Sequence, residues 1–105
     1  MHKNATVEIL SFIDSLQDKF PAAFPHKPYR KVPLKVDIRE DLFSLKDDLK
    51  CSKKTIKKAL SLWCFGKRYY SCLKEGSPRF DLNGNISGYV KLEDVEFYKK
   101  KSNMS

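Results

Sequence analysis

Cysteine, histidine, glycine and long apolar runs are all sparse here, and each scarcity removes a class of protein. The three cysteines, Cys51, Cys64 and Cys72, form no Cys-x-x-Cys pair, and the only histidines are His2 and His26. An odd number of dispersed thiols gives neither a disulfide framework nor the ligand spacing of a zinc site. They read instead as small buried hydrophobes in a reducing compartment. His26 is far from every cysteine in sequence, so nothing supports a Cys-His catalytic pair, and no enzymatic chemistry, metal or cofactor is expected. No stretch approaches the roughly 20 apolar residues that span a bilayer. The opening Met1-His2-Lys3-Asn4 lacks the apolar segment of a signal peptide, so the expected location is the cytoplasm, without membrane contact. Repeats and low-complexity segments are missing as well. With 105 residues, 41% of them hydrophobic, the chain can bury one modest core and has no length for a second domain.

Acidic residues are also in deficit. Twenty-one Lys and Arg oppose thirteen Asp and Glu, a formal charge of +8 that draws the protein towards polyanions. From Lys50 to Lys74 there is no Asp or Glu at all. Nucleic acid is the commonest polyanionic partner. An acidic membrane surface is the rival, but surface-bound helices carry their apolar face without a globular core to fill, and here the apolar residues are spaced for a core.

That spacing predicts a mostly α fold with a small β-hairpin (α+β), one domain over residues 6–101 with short, flexible ends at 1–5 and 102–105. Ile9, Ile13, Leu16 and Phe20 recur at helical intervals, predicting a first helix from Thr6 to Phe20 that ends before Pro21. Prolines 21, 25, 28 and 33 then deny regular pairing and predict an ordered loop. Leu34 to Ile38 alternates apolar and polar, the pattern of a half-buried strand with Lys35 and Asp37 facing solvent. A second helix is expected over Arg39 to Lys50, with Glu40 and Asp41 early and Lys50 late, as the helix dipole favours. Ser52 suits the N-cap of a third helix, with Ile56, Ala59, Leu60 and Trp63 as its buried stripe, fading near Gly66. Lys67 to Leu73 reads as a short helical turn. Arg79 to Leu82 and Ile86 to Val90 read as strands around Asn83-Gly84-Asn85, residues that accept the positive φ of a tight turn. Leu92 to about Lys101 completes a set of about five helices.

The charge is concentrated on the third helix. Lys54, Lys57, Lys58 and Ser61 recur at three- and four-residue steps opposite Ile56, Leu60 and Trp63. Like charges at that spacing repel by a few tenths of a kcal/mol per pair, and no Glu dilutes them. Either the row is a solubilising face or an anionic partner supplies the missing counter-charge. The helix's N-terminus, with Ser52, Lys53, Lys54 and Thr55, has free amides and the positive end of the dipole, which suit phosphate; simple capping also accounts for Ser52. Next comes Lys67-Arg68-Tyr69-Tyr70, two cations beside two aromatics, a combination that neutralises phosphate while stacking bases or packing against ribose. One of the two tyrosines is expected in the core. Arg79 offers a planar fork for phosphate; a cross-strand ion pair is its ordinary alternative.

Several blocks together resemble one known family: Pro33-Leu34-Lys35-Val36-Asp37-Ile38, Asp41-Leu42, Ser52-Lys53 to Ala59-Leu60, Arg68-Tyr69, and Arg79-Phe80-Asp81-Leu82-Asn83-Gly84-Asn85. In that order and spacing they are similar to the ProQ/FinO RNA-chaperone domain, over roughly residues 11–99, and suggest a minimal, stand-alone member. The resemblance implies a compact helical domain whose basic concave face binds bacterial small RNAs and messenger 3′ ends, at a terminator-like stem followed by a single-stranded U-rich tail. It carries RNA contact onto Lys35, Lys53, Lys57, Arg68, Tyr69 and Arg79, with terminal phosphates at the third helix's N-terminus and Tyr69 and Arg79 closing that pocket. Ser61 stands where relatives can carry Arg, and position 67, here Lys67, can be aromatic in them, so some stem-contacting affinity is expected either to be lost or to move to Lys54 and Lys58. A stand-alone member of this kind is expected to lack the long basic linker and extra domain of larger ones, so RNA binding is a firmer expectation than strand exchange or annealing. The expected protein is a monomeric, RNA-binding post-transcriptional regulator.

Two other readings compete. A lysine-faced helix after a short turn resembles a duplex-DNA recognition helix, but its face offers no Asn, Gln or Arg to read base edges. A basic protein-interaction module would meet an acidic partner instead.

Overall fold

Prolines and glycines punctuate the computed structural model, which describes residues 2–104. Its elements are α1 (His2–Lys19), α2 (Ile38–Ser44), α3 (Lys53–Cys64), α4 (Lys67–Tyr70), β1 (Pro78–Phe80), β2 (Ile86–Tyr89) and α5 (Leu92–Met104). The fold is therefore mostly α with one antiparallel hairpin, as expected. The first helix starts at His2, four residues before the expected start at Thr6, and α5 runs past Lys101. Met1 and Ser105, the outermost residues of the two expected flexible ends, lie outside the described residues.

The core forms where the helical stripes converge. Phe12 and Leu16 of α1, Leu42 of α2 and Ile56, Ala59 and Trp63 of α3 are buried together with Phe24 from the proline-rich loop. The Phe24 and Trp63 rings meet edge to face at 5.2 Å, so this loop is held by Phe24 despite its lack of regular pairing, while Tyr29 is exposed. Each such large side chain taken from water contributes about 1.5–3 kcal/mol. The hairpin closes the other side through Leu82 and Val90.

The strand expected over Leu34–Ile38 is reduced to one residue. Leu34 bridges Phe80 in the parallel sense, with Lys35 N–H donating to the Phe80 carbonyl at 2.9 Å and Phe80 N–H to that of Pro33 at 2.9 Å. The chain then turns, Ile38 N–H donating back to the Lys35 carbonyl, and the alternation fails. Val36 is 73% exposed, and Ile38 is buried as the first residue of α2.

The second helix is also shorter than its stripe. After Ser44 the chain continues as tight turns, and Leu49 N–H still donates to the Leu45 carbonyl. The segment ends in paired bonds, Cys51 N–H to the Lys46 carbonyl and Lys50 N–H to that of Asp47, with Lys50 at φ 53°. This is a Schellman closure built on lysine where glycine is usual. It frees Ser52 to begin α3 two residues later.

The hairpin turn differs from a two-residue loop. Gly84 has φ 85°, but Asn83 does not share a positive φ. Gly84 N–H donates to the Asp81 carbonyl, Asp81 N–H to that of Asn85, and the Asp81 carboxylate accepts from Asn83 and Asn85 N–H, each at 2.9 Å. This is a three-residue loop closed by a left-handed glycine. A Cβ on Gly84 would lie 2.8 Å from that of Ala22, so the turn packs directly on the loop after α1. Gly84→Ala is expected to cost about 2 kcal/mol in urea unfolding, from the left-handed backbone plus the clash. A change within about 0.5 kcal/mol, the range of neutral surface substitutions, would show that this packing does not hold the turn.

Candidate nucleic-acid interface

Helix α3 begins as its sequence requires. The Ser52 Oγ accepts the Thr55 N–H at 3.2 Å and lies 3.1 Å from the Thr55 hydroxyl. Capping thus accounts for Ser52, and its hydroxyl is already engaged. Lys53, in the same turn, extends over the Phe43 ring at 5.2 Å. Lys54, Lys57, Lys58 and Ser61 are exposed while Ile56, Ala59 and Trp63 are buried, the two-faced helix expected, except that Leu60 of the expected stripe is only half-buried and lines the cleft described next. Among the described residues no ion pair involves Lys53, Lys54, Lys57 or Lys58. The row keeps its full charge.

Beside this row opens a cleft of about 720 Å³ between α3, the Leu34–Arg39 segment, β1 and α5. Five of the predicted site residues line it: Lys35, Lys57, Ser61, Tyr69 and Arg79. The others stand outside that lining. Ser52, Lys53, Lys54 and Thr55 belong to the first turn of α3, Lys58 lines a second hollow, and Arg68 is exposed on α4.

Two of the five have structural duties that the sequence did not reveal. Tyr69 is 2% exposed; its hydroxyl accepts the Leu34 N–H at 3.0 Å and its ring meets Tyr98 edge-on at 5.5 Å. It is the core member of the tyrosine pair and presents no open face for stacking. Burial pushes its phenol well above the usual range, so it stays protonated. Arg79 is not an unpaired fork, nor is its ion pair cross-strand. Nη1 donates to the Leu34 carbonyl at 2.7 Å and Nη2 to Asp94 of α5 at 3.0 Å. Arg79 and Tyr69 together hold Leu34 by its carbonyl and its N–H, and so position the segment that carries Lys35.

Lys35 reaches the cleft with its charge partly answered, since its ammonium lies 2.9 Å from the Asp41 carboxylate. That hydrogen bond raises the Lys35 ammonium above its ordinary value of 10.5. Other lining residues were not singled out from sequence. Arg39 adds a cation, Phe65 and Phe97 add exposed rings, and Asp94 adds one carboxylate on the floor. Phe65 falls off the Ile56, Ala59, Leu60 and Trp63 stripe of α3, a signal available in the spacing. Nothing in the spacing pairs residues 79 and 94.

The same region holds a buried lysine. Lys31 donates to the Trp63 carbonyl at 2.6 Å, and its ammonium sits 4.2 Å from the Trp63 ring centroid. Burial, then the nearby Arg68 charge, lowers it from 10.5. The cysteines are half-buried and no disulfide joins them; burial pushes the Cys72 thiol up to about 11, away from reactivity. Among the described residues no cluster of His, Cys, Asp or Glu could hold a metal ion, and no helix is long and apolar enough to cross a membrane.

A model described as the ProQ/FINO family matches residues 6–105. The chain belongs to the ProQ/FinO family. It is 37% identical over 82 residues to the RNA chaperone ProQ of Shewanella pealeana, covering 77% of this chain and 38% of that protein. Against the RNA chaperone ProQ of Aeromonas salmonicida it is 38% identical over 86 residues, 81% of this chain and 40% of that one. The chain thus matches about two fifths of these ProQ proteins. Among solved structures, the NMR structure of a ProQ homolog from Legionella pneumophila aligns with a TM-score of 0.78 at 32% identity, covering 91% of this chain and 81% of that one. A crystal structure of a FinO-like RNA chaperone from Neisseria meningitidis shares the fold at a TM-score of 0.71 and 24% identity, over 90% and 93% of the two chains.

Proposed function

We propose that this ProQ/FinO domain binds structured RNA, gripping a hairpin stem by its phosphates and ribose hydroxyls along α3 while the adjacent cleft takes a single-stranded 3′ tail. The observation that carries the reading is the undiluted lysine row of α3 running alongside that cleft. Phosphates supply the counter-charge that the protein withholds from Lys53, Lys54, Lys57 and Lys58. Shape and terminus, rather than base identity, set specificity, as suits an A-form helix whose bases are poorly accessible. The RNAs proposed are small RNAs and messenger 3′ ends with terminator-like hairpins and U-rich tails, and the role is that of a chaperone in post-transcriptional regulation. Its relatives' name, RNA chaperone, supports that class.

Buried residues are poor reporters of this binding, because their removal disturbs the fold. Exposed lysines are better. A gel-shift titration should compare a hairpin carrying a 3′ U-tail with the same hairpin lacking it, on the wild type and on Lys57→Ala. With about five phosphates neutralised, log affinity should fall against log salt with a slope of about −3.5 to −4.5. Lys57→Ala should flatten that slope by about 1 and leave thermal unfolding unchanged. A flat salt response would remove the electrostatic grip, and equal affinity for the two hairpins would remove the 3′-tail reading. Tighter binding to duplex DNA than to either RNA would favour a DNA-binding protein.

A further inference from the structure

The end of α3 breaks the pattern of a solubilising face. Leu62 and Phe65 are 46% and 60% exposed, yet they stand beside Lys57 and Lys58 on the outer side of the helix. With Ser61 these residues line a second hollow of about 450 Å³. Lys57, Ser61 and Phe65 also line the larger cleft, so the two spaces adjoin at the Phe65 ring. Phe65 is placed there by the way the helix stops. Its backbone is extended at φ −82° and ψ 138°, and Gly66 follows at φ 92°, so the ring is carried off the end of the buried stripe. Scattered exposed apolar residues need no explanation. Here two are grouped, with the adjacent Lys57 and Lys58 one turn before them on the helix and the small Ser61 side chain leaving the space open.

An apolar floor beside two adjacent lysines is complementary to a flat ring whose backbone phosphates run along one edge. We infer that this hollow is a nucleobase subsite, in which one unpaired base of the RNA's single-stranded segment stacks on Phe65 against Leu62 while Lys57 and Lys58 take the flanking phosphates. The inference rests on the proposed RNA-binding function and extends it from phosphate contact to base contact. Aromatic stacking tolerates any base because every base has a π face. Ser61 is the one uncharged polar side chain in the lining, so the subsite distinguishes an unpaired base from a paired or missing one and does not read its identity. A protein partner with an apolar side chain could use the same floor, but it leaves the two lysines unanswered.

The test uses the full chain and the tailed hairpin with a single abasic nucleotide placed at each tail position in turn, which removes a base and keeps every phosphate. At one position the abasic RNA should bind the wild type about tenfold more weakly, the scale of one lost stacking contact. Phe65→Ala should bind the unmodified RNA about tenfold more weakly and be indifferent to the abasic change at that position. Phe65→Trp should restore both the affinity and the sensitivity. A 2-aminopurine base at that position should be quenched on binding the wild type and not on binding Phe65→Ala. The subsite is overturned, with RNA binding left intact, if no abasic position matters or if Phe65→Ala remains as sensitive as the wild type. Failure of wild type and variant to bind either tailed RNA overturns the subsite together with the function it rests on.

Discussion

Trp63→Ala is expected to lower the unfolding free energy by about 3–5 kcal/mol, the range for deleting a large aromatic from a packed core. A domain of this size has only about 5–15 kcal/mol in total, so the variant should be marginally folded at room temperature. The expectation rests on what Trp63 touches rather than on its size alone. The ring is 6% exposed and meets Phe24 edge-on, which ties the proline-rich loop to α3. Its other contact is the Lys31 ammonium at 4.2 Å, a cation whose remaining hydrogen bond goes to the Trp63 carbonyl. Alanine would keep that carbonyl and remove the ring, so Lys31 would lose its π partner while staying buried, an arrangement that costs more than the cavity by itself. Phenylalanine keeps a face for the lysine and an edge for Phe24. The indole N–H has no hydrogen-bond partner among the described residues, so Trp63→Phe gives up no bond there and should cost under about 1.5 kcal/mol. Urea unfolding of the two variants checks this; equal and small losses for both would mean that the loop is held by something other than this stack.

The contrast between Trp63 and Arg79 marks how far the sequence could be read. Trp63 falls on a 3.6-residue stripe, and burial follows from periodicity because all its neighbours in the pattern lie within one helix. The same logic located α1, α3 and α5, the Ser52 cap and the two faces of α3. It overextended α2, because Leu45 and Leu49 keep the stripe through turns that end in a left-handed Lys50, a conformation no residue type announces when glycine is not used. It misread Leu34–Ile38, because alternation over five residues is also what a single bridge followed by a turn produces. Tyr69 and Arg79 were legible as residues of interest, but their partners Leu34 and Asp94 are 35 and 15 positions away. Only tertiary packing brings these groups together, and it decides between the alternatives the sequence left open, making Tyr69 the core tyrosine and pairing Arg79 with Asp94 rather than across the strands. The cleft's exposed rings, Phe65 and Phe97, were visible as aromatics in the sequence. What they face was not.

Arg79→Ala is expected to destabilise the fold by about 2–3 kcal/mol, somewhat below the 3–5 kcal/mol typical of a fully buried broken pair. The Asp94 side chain keeps 32% exposure, so water can take up part of what it loses. The Leu34 carbonyl loses its 2.7 Å donor as well, and the segment leading to Lys35 should loosen. Weaker RNA binding by Arg79→Ala would therefore not identify Arg79 as a phosphate contact. Asp94→Asn separates the two roles, since it leaves the guanidinium and its bond to Leu34 in place and removes the one carboxylate on the cleft floor. This variant should bind RNA at least as tightly as the wild type while losing about 1 kcal/mol of stability, the scale of one weakened charge-assisted bond. Its pH dependence gives a second check. The Lys91 N–H, and after it Arg79, hold the Asp94 carboxyl below its ordinary value of 3.8. A group whose folded value is depressed adds stability above its unfolded value, and that stability is lost as pH falls through the folded one. The wild type should therefore weaken relative to Asp94→Asn as pH drops below about 3.8, with the two unfolding curves converging in acid. If the gap between them stays constant from pH 7 to the acid limit, the stabilisation comes from the shape of the side chain and not from its charge.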